Sequence, residues 1–215
     1  SHELRTPLAN LKAELELALR RPRDEAGLRL AIRSAAEETD RLIQLAQDLL
    51  VLARADQGEV TVHPQRTDLS TLLVREASTF EARAAERDIT IEVDCPAGLT
   101  VEVDAQRMRQ AIGNLLDNAI RHSPLSGEVE VSAQEANEWV KISVADSGEG
   151  FAGDFVPHAF KRFSRGDAGR SRSAGGVGLG LAVVHAVIQA HGGTVEISAL
   201  SPGGLVTLTV PAATS

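Results

Sequence analysis

Apolar positions in the first quarter of the chain recur at alternating steps of four and three residues. The seam comprises Leu4, Leu8, Leu11, Leu15 and Ala18 in a first segment, then Leu28, Ile32, Ala35, Thr39, Leu42, Ala46, Leu49 and Ala53 in a second. This heptad spacing predicts two helices with left-handed, coiled-coil-like packing. A break around Pro22, with Asp24 as a candidate N-cap, makes the predicted unit an antiparallel helical hairpin.

Two such helices bury little surface alone, so the hairpin predicts a homodimer in which two copies form a four-helix bundle. Folding at Pro22 places Ser1 opposite roughly residue 44, because both helices rise equally per residue. Apolar positions between 45 and 53 then lack a partner in the first helix. We therefore expect further helix upstream of Ser1, and fraying at Ser1 and His2.

Beyond residue 57 the pattern changes, which predicts a hairpin domain over 1–57 and a second domain over 58–215. The second domain is predicted to contain helices at Leu69–Ala85, Ala105–Arg121 and Leu179–His191. Its strands are predicted at Val60–His63, Ile89–Val93, Thr100–Val103, Val129–Gln134, Val140–Ala145, Thr194–Ala199 and Val206–Val210. The fold class is α+β, a hairpin followed by an α/β sandwich whose mixed sheet is covered on one face.

Composition narrows the function classes. Of 215 residues, 43% are hydrophobic and 24% charged, as in ordinary globular proteins. A net charge of −8 argues against general affinity for nucleic acid or anionic lipid. Cys95 is the single cysteine, which excludes an intrachain disulfide and fits a reducing compartment. No apolar stretch approaches the roughly 20 residues that a membrane-spanning helix needs.

The opening octapeptide SHELRTPL contains a candidate reaction site. Histidine can be neutral and nucleophilic near neutral pH, and Glu3 stands beside His2 as a base. Thr6 follows at i+4 on the same helical face. Pro7 removes the helical partner of the Glu3 carbonyl and predicts a kink. A solvated surface histidine is the alternative, and the neighbouring residues favour the reaction site.

Asn114 and Asn118 are one turn apart on a predicted amphipathic helix. Amide oxygens suit Mg²⁺, and Arg121 near the helix end could reach a phosphate oxygen. The alternative is a pair of solvent-facing asparagines. Because asparagine is a poor helix former, two of them in one helix favour the ligand role.

Asp146 ends a predicted strand and precedes Gly148 and Gly150. A plain Asp-Ser-Gly turn is the alternative. We favour a carboxylate that accepts a hydrogen bond from a bound ligand, with glycines that let the backbone approach that ligand. The string GEGFAG (148–153) also fits a dinucleotide fingerprint, but Pro157 and phenylalanines follow it instead of a long helix.

The stretch from Ser147 to Gly178 is predicted to be irregular, and Gly176, Gly178 and Gly180 lead into an apolar helix whose N-terminus suits a triphosphate. The Lys-Ser/Thr pair of a P-loop is absent. A basic patch stands against Asp167 alone: Lys161, Arg162, Arg165, Arg170 and Arg172. We predict a mobile lid over the bound phosphates, anchored by Phe160 and Phe163, with a plain solvated loop as the alternative.

SHELRTPL resembles the phosphoacceptor box of bacterial sensor histidine kinases. NLLDNAIRHSP (114–124), DSGEGF (146–151) and GGVGLGLAVV (175–184) resemble the nucleotide-binding boxes of that family, in the same order, and AFKRFSR (159–165) resembles its phenylalanine box. The resemblance covers almost the whole chain. It implies ATP-dependent phosphorylation of His2, transfer to an aspartate of a response regulator, and phosphatase activity toward that regulator.

The resemblance also implies residue roles and partners, among them an Asp146 carboxylate that accepts a hydrogen bond from the adenine amino group. Asn118 is the implied principal Mg²⁺ ligand, beside Asn114, and Thr6 positions water during dephosphorylation of the regulator. The remaining implied nucleotide-binding residues are Arg121, Asp146, Gly148, Gly150, Phe160, Lys161, Arg162, Phe163, Arg165, Gly176, Gly178, Leu179 and Gly180. The regulator is expected on the lower first helix and the start of the second. A sensor and membrane spans are expected upstream, so the chain would be the cytoplasmic domain of a protein in the bacterial inner membrane.

Three positions depart from the family pattern: Glu149 stands where proline is frequent, Arg121 where lysine is usual and Val177 where a small hydroxyl residue is common. Asp104 and Arg107 are expected to cap and brace their helix. The other histidines show no metal spacing and are interpreted as structural: His63, His122, His158, His185 and His191.

Two rival functions stay open. The first is another ATPase of the gyrase, heat-shock chaperone and MutL-like superfamily, which has no reason to carry SHELRTPL on a heptad hairpin. The second is a nucleotide-binding dimerisation scaffold with an inactive kinase centre. The intact Asn118, Asp146 and glycine boxes argue against that scaffold.

Overall fold

The computed structural model describes residues 2–20, 24–164, 177–200 and 202–213, without the side chains of residues 2–7, 10, 14, 20 and 199. The chain divides into two compact units, residues 1–53 and 54–215. Each unit is described by itself. The boundary expected after residue 57 stays a prediction.

The first unit is helical, as the heptad pattern predicts. Helix α1 spans His2–Arg20 and helix α2 spans Glu25–Asp56, so that the last residues of α2 belong to the second unit. The predicted N-cap of α2 is confirmed, because the Asp24 carboxylate accepts a hydrogen bond from the Gly27 N–H at 2.9 Å. The break at Pro22 lies outside the described residues, and the kink expected at Pro7 stays a prediction.

The predicted seam of α2 is only partly buried in this single chain. Ala35 is buried and Leu42 and Leu49 are half-buried, whereas Leu28 and Ile32 are exposed. Ala31, Leu45 and Leu52 are buried instead. The heptad pattern thus predicts the helix, but not which of its residues are buried within the single chain.

The second unit alternates short strands with helices. Its elements are β1 (Gln65–Asp68), α3 (Leu69–Ala85), β2 (Thr90–Asp94), β3 (Thr100–Val103), α4 (Ala105–His122), β4 (Glu128–Ala136), β5 (Trp139–Asp146), a 3₁₀ turn (Val156–His158), α5 (Gly180–Ala190), β6 (Thr194–Ala199) and β7 (Gly204–Pro211).

A five-stranded mixed sheet in the order β2-β4-β5-β7-β6 forms the frame of this unit. Strand β2 runs parallel to β4, and the other pairs are antiparallel. The register sets Val131 opposite Val144, and Val144 opposite Val206, so that buried side chains line one face. Helices α3, α4 and α5 contact these strands, which confirms the predicted sandwich with one covered face.

Helix α4 is the centre of the core. One face is almost fully buried: Met108, Ala111, Ile112, Leu115, Leu116, Ala119 and Ile120. Each fully buried leucine or isoleucine contributes roughly 1.5–3 kcal/mol. Burial on this side fixes the rotation of α4, and therefore the direction of its asparagines.

The strand predicted at Val60–His63 is wrong. Residues 59–64 have no regular structure, and the strand of this region, β1, begins at Gln65 opposite Val103. Pro64 has no N–H to donate to a ladder, and the His63 N–H donates to the Asp104 carboxylate at 3.1 Å instead. The other predicted elements are present, with ends that differ by at most two residues.

Candidate functional site

The N-terminus of α4 is fixed by Asp104. Its carboxylate accepts hydrogen bonds from the N–H groups of Gln106 at 3.0 Å and Arg107 at 3.1 Å, which confirms the expected cap. Partial burial raises the pKa of Asp104, but the backbone hydrogen bonds from Arg107, His63 and Gln106 outweigh it and keep this pKa below its usual value. Asp104 thus stays ionised and anchors the helix that carries the asparagines.

Asn114 faces the beginning of α5. A Cβ atom added to Gly180 would lie 3.6 Å from Cβ and 3.9 Å from Oδ1 of Asn114. The buried Nδ2 of Asn114 has no hydrogen-bond partner among the described residues. An unmade hydrogen bond of this kind costs about 1–3 kcal/mol, so this amide is suited to meet a ligand acceptor. Asn118 follows one turn later and is also half-buried.

Arg121 is engaged on its own helix. Its guanidinium forms an ion pair with Asp117, and Asp117 also pairs with Arg83 of α3. A carboxylate shared by two arginines holds each of them less tightly than a single pair would. The phosphate contact expected of Arg121 stays a prediction.

Asp146 ends β5 in a crowded turn. Its Oδ1 accepts hydrogen bonds from the N–H groups of Gly148 at 2.9 Å and Gly204 at 3.3 Å. A Cβ atom on Gly148 would lie 2.5 Å from the His122 carbonyl oxygen, a distance that real Cβ atoms do not adopt. Glycine therefore allows the C-terminal end of α4 to lie directly against the turn that follows Asp146.

Two further features complete this side of the site. Gly150 has a φ of +77°, and a Cβ atom there would lie 2.5 Å from the Gly203 carbonyl oxygen. The Phe151 ring lies 2.8 Å from the place where a Cβ on Gly204 would stand, and it stacks on Phe155 with ring centroids 6.2 Å apart. Sequence reasoning did not assign these aromatic residues to the site, although Phe151 is part of the DSGEGF string.

The glycine-rich turn before α5 lies against the first part of the predicted lid. Gly178 has a φ of +74°, and a Cβ atom there would lie 2.6 Å from the Ser164 carbonyl oxygen. Leu179, at the N-cap of α5, is 2% exposed and has no side-chain acceptor. The first N–H groups of α5 therefore lack a side-chain cap from this residue, which suits an anionic ligand.

Phe160 holds the described start of the segment predicted to be a lid. Its ring stacks on His185 of α5 with centroids 4.9 Å apart. Phe163 is half exposed and has a φ of 60°, unusual for a residue with a side chain. Arg162 donates to the Asp56 carboxylate at 2.5 Å. Lys161 is exposed, and the predicted site residues Arg165 and Gly176 lie outside the described residues.

His122 stands at the end of α4, and its expected structural role stays a prediction. Loss of surrounding water and the charge of Arg121 lower the pKa of the His122 imidazole, and the carboxylates of Asp146 and Asp117 oppose this shift. The side chain is thus within electrostatic range of Asp146.

Three close approaches connect α4, the turn after Asp146, the glycine-rich turn before α5 and the base of the predicted lid. Asn114 meets the start of α5, the His122 carbonyl meets Gly148 beside Asp146, and Gly178 meets the base of the lid. His2, Glu3 and Thr6 lie on α1 in the other unit, and their side chains are outside the described residues.

The sequence matches two protein families. Residues 103–214 match the family described as histidine kinase-, DNA gyrase B- and HSP90-like ATPase. Residues 1–58 match the His Kinase A (phospho-acceptor) domain.

Curated relatives are sensor kinases. The sensor protein IrlS of Burkholderia pseudomallei is 36% identical over 194 residues, which cover 90% of this chain and 41% of IrlS. The signal transduction histidine-protein kinase BaeS of Escherichia coli is 36% identical over 214 residues, which cover 98% of this chain and 44% of BaeS. The chain thus spans less than half the length of these relatives.

Solved structures agree with these matches. The histidine kinase AdeS of Acinetobacter baumannii has a TM-score of 0.78 and 26% identity, covering 100% of this chain and 99% of that one. Full-length ShkA in complex with AMPPNP has a TM-score of 0.75 and 30% identity, covering 100% of this chain and 45% of that one. From the family matches, the relatives and these structures, it follows that the chain belongs to the bacterial sensor histidine kinases, with a phospho-acceptor segment followed by a gyrase B- and HSP90-like ATPase domain.

Proposed function

We propose that this chain transfers the γ-phosphate of ATP to His2 and then to an aspartate of a response-regulator receiver domain. One observation carries the proposal: α4, the Asp146 turn, the base of the predicted lid and the start of α5 lie against one another. They meet at three close approaches, Asn114–Gly180, His122–Gly148 and Ser164–Gly178. The ShkA structure supports the nucleotide, since that relative was solved with the ATP analogue AMPPNP.

In this proposal the adenine amino group donates to the Asp146 carboxylate, and Gly148 and Gly150 leave room for the base. Asp146 Oδ1 already accepts from Gly148 and Gly204, which holds the carboxylate in place. The phosphates meet the N–H groups around Gly178, Leu179 and Gly180. In the proposal, the phosphate charge is compensated by the cations Lys161, Arg162 and Arg165, and Gly176 belongs to the same nucleotide-binding set.

The residues on α4 fit a magnesium ion bound with the nucleotide. Mg²⁺ prefers oxygen ligands and keeps several waters, and each asparagine offers one amide oxygen. The unpartnered Nδ2 of Asn114 is consistent with a ligand group above α4. Asn118 would be the principal protein ligand and Asn114 the second. The ion would neutralise phosphate charge, which is the main requirement of phosphoryl transfer.

The chemical step needs a nucleophile and a base. A ring nitrogen of His2 forms a bond to the γ-phosphorus while the bond from that phosphorus to the bridging oxygen breaks, and its electron pair leaves with ADP. Glu3 orients the imidazole and takes its proton. Thr6 would position the water that hydrolyses the phosphorylated regulator.

The proposal includes a homodimer formed through α1 and α2. Large apolar side chains on both helices are exposed in the single chain and would be covered by a second copy: Leu8, Leu15, Leu28, Ile32 and Ile43. The regulator would dock on the lower part of α1 and the start of α2. No helix in the described ranges is long and apolar enough to cross a bilayer. The resemblance to sensor kinases supports a cytoplasmic domain whose full-length protein is anchored in the inner membrane.

Incubation with γ-labelled ATP and Mg²⁺ tests the proposal. We expect acid-labile, alkali-stable label on the protein, lost in His2→Gln and retained in the control His158→Gln, which changes an exposed histidine. Label that persists in His2→Gln contradicts the acceptor. ATP hydrolysis without protein label favours a gyrase-like ATPase, and ADP binding with neither reaction favours a scaffold.

A further inference from the structure

The C-terminal end of α4 is held by Arg87, which lies in the turn between α3 and β2. The Arg87 guanidinium donates through Nη1 to the carbonyl oxygens of Ile120 and Arg121, the latter at 2.9 Å. Its Nη2 donates to the Ser123 carbonyl oxygen at 2.9 Å. One side chain thus bonds three carbonyl groups that are 33 to 36 residues away in sequence.

These bonds meet a specific need of the helix end. The last carbonyls of an α-helix have no partner within the helix and carry its negative partial charge. A guanidinium suits both the unpartnered carbonyls and their negative partial charge, because it is positively charged and presents several donors in a fixed plane. A lysine would keep the charge but could not form the same planar set of bonds.

A second set of contacts joins the same two segments. The Ser126 N–H donates to the Arg87 carbonyl at 3.1 Å, and the Ser126 hydroxyl donates to the Asp88 carboxylate at 2.7 Å. Asp88 and Ser126 both have positive φ, 55° and 57°. Such backbone conformations are unfavourable for residues with side chains and are kept only where neighbouring contacts stabilise them.

The opposite side of the held segment contacts the turn beside Asp146. The His122 carbonyl oxygen lies 2.5 Å from the place of a Cβ on Gly148, and Ser147 Oγ lies 2.6 Å from that of Gly127. Gly148 in turn donates to Asp146 Oδ1 at 2.9 Å. Direct contacts therefore lead from Arg87, through residues 120–123, to the carboxylate.

We infer that Arg87 is a positioning residue for adenine recognition. By fixing the last turn of α4, it sets the position of the His122 carbonyl against Gly148, and so the direction in which Asp146 accepts a hydrogen bond. Arg87 does not itself touch the nucleotide. The inference rests on the proposed function, since it assumes that Asp146 receives the adenine amino group.

The test compares ADP with inosine diphosphate, in which a carbonyl replaces the 6-amino group. Dissociation constants of both nucleotides are measured for wild type, Arg87→Ala and Arg87→Lys at a temperature where circular dichroism shows each variant folded. We expect the preference for ADP over inosine diphosphate to fall about tenfold in Arg87→Ala. Arg87→Lys should resemble Arg87→Ala more than wild type.

Two control variants separate positioning from stability. Arg75→Ala removes an exposed arginine of α3, and Leu72→Val weakens the core beneath α3. Both should keep the wild-type preference, and Leu72→Val should do so despite a lower Tm. If Arg87→Ala does not fold, the nucleotide preference is measured in Arg87→Lys and Ser126→Ala instead. The first keeps the positive charge, and the second removes only the hydroxyl bond to Asp88. A lower preference for ADP supports the positioning role, and an unchanged preference overturns it.

The two possible failures are distinct. Wild-type preference in the folded Arg87 variants overturns the positioning role while the proposed function stands. Equal affinity of the wild-type chain for both nucleotides, or no affinity for either, overturns the adenine contact and the positioning role together.

Discussion

The backbone N–H of Asp104 donates a hydrogen bond to Nε2 of His191 at 2.9 Å. Nδ1 of the same ring lies 2.8 Å from the Val187 carbonyl oxygen, so Nδ1 carries the proton and donates. The imidazole, only 8% exposed, thereby joins the N-terminal end of α4 to the C-terminal end of α5. Because the other end of α5 meets Asn114, this bond helps to fix the spacing of the two helices at the site.

His191→Ala should therefore destabilise the second unit. The substitution leaves the Asp104 N–H without its acceptor, which costs about 1–3 kcal/mol. Urea unfolding followed by circular dichroism measures the change, with His158→Ala, at an exposed position, as the control. Equal midpoints for the two variants would contradict the structural role of His191.

Asp146→Asn should weaken adenine nucleotide binding. An uncharged amide accepts a hydrogen bond from the adenine amino group less strongly, and hydrogen bonds to charged groups contribute about 1.5–3 kcal/mol, or roughly tenfold or more in affinity. Isothermal titration with ADP measures the loss. Asp154→Asn, at an exposed position in the following segment, is the matched control. Unchanged affinity in Asp146→Asn would remove the adenine contact from the proposal.

Gly178→Ala should impair nucleotide binding more than it lowers stability. The left-handed backbone costs an L-residue about 1–2 kcal/mol, and the new Cβ would meet the Ser164 carbonyl, so the base of the lid has to shift. Gly153→Ala adds the same methyl where nothing lies within 4 Å. Fluorescence titration with a labelled ATP analogue distinguishes the two variants, and similar affinities would show that the lid base does not contribute.

Glu76→Gln should stabilise the second unit at neutral pH. Loss of water around its carboxylate raises the pKa of Glu76 by more than Arg109 and Arg75 lower it. A folded-state pKa above the unfolded value makes the ionised group unfavourable for folding, and this penalty disappears as the pH falls below the unfolded value. The stabilisation should thus be present at pH 7 and vanish near pH 4.

Thermal unfolding of Glu76→Gln at both pH values tests this sign. Glu81→Gln, which replaces an exposed glutamate on the same helix, is the matched control. A Glu76→Gln variant that is less stable than wild type at pH 7 would indicate that attraction to the Arg109 charge outweighs the loss of water around the Glu76 carboxylate.

Local patterns predicted most elements of the second unit because one apolar face repeats along each of them. Helix α3 begins and ends as predicted, since Asp68 caps it by accepting from the Thr71 N–H at 2.7 Å. The pattern of residues 60–63 also resembles a strand, but a strand needs a partner, and the register of β1 with β3 starts only at Gln65.

Contacts between distant segments could not be read from local patterns. The pairing of Asp117 with Arg121 is visible as an i, i+4 pair, whereas the third member, Arg83, comes from another helix. The three bonds of Arg87 likewise depend on the packing of α3 beside α4. Motif strings predicted the candidate site residues, and packing between distant segments determines which contacts hold those side chains.

Three of the closest approaches in the candidate site occur at glycines, which have no side chain. At Gly148, Gly150 and Gly178 the nearest atom to an added Cβ is a backbone carbonyl oxygen, at 2.5, 2.5 and 2.6 Å. A carbonyl cannot swing aside as the end of a long side chain can, so any substitution forces a whole segment to move. These three positions therefore do not admit small stepwise changes, and variation around the proposed adenine contact has to arise at neighbours such as Phe151, whose side chains already occupy volume.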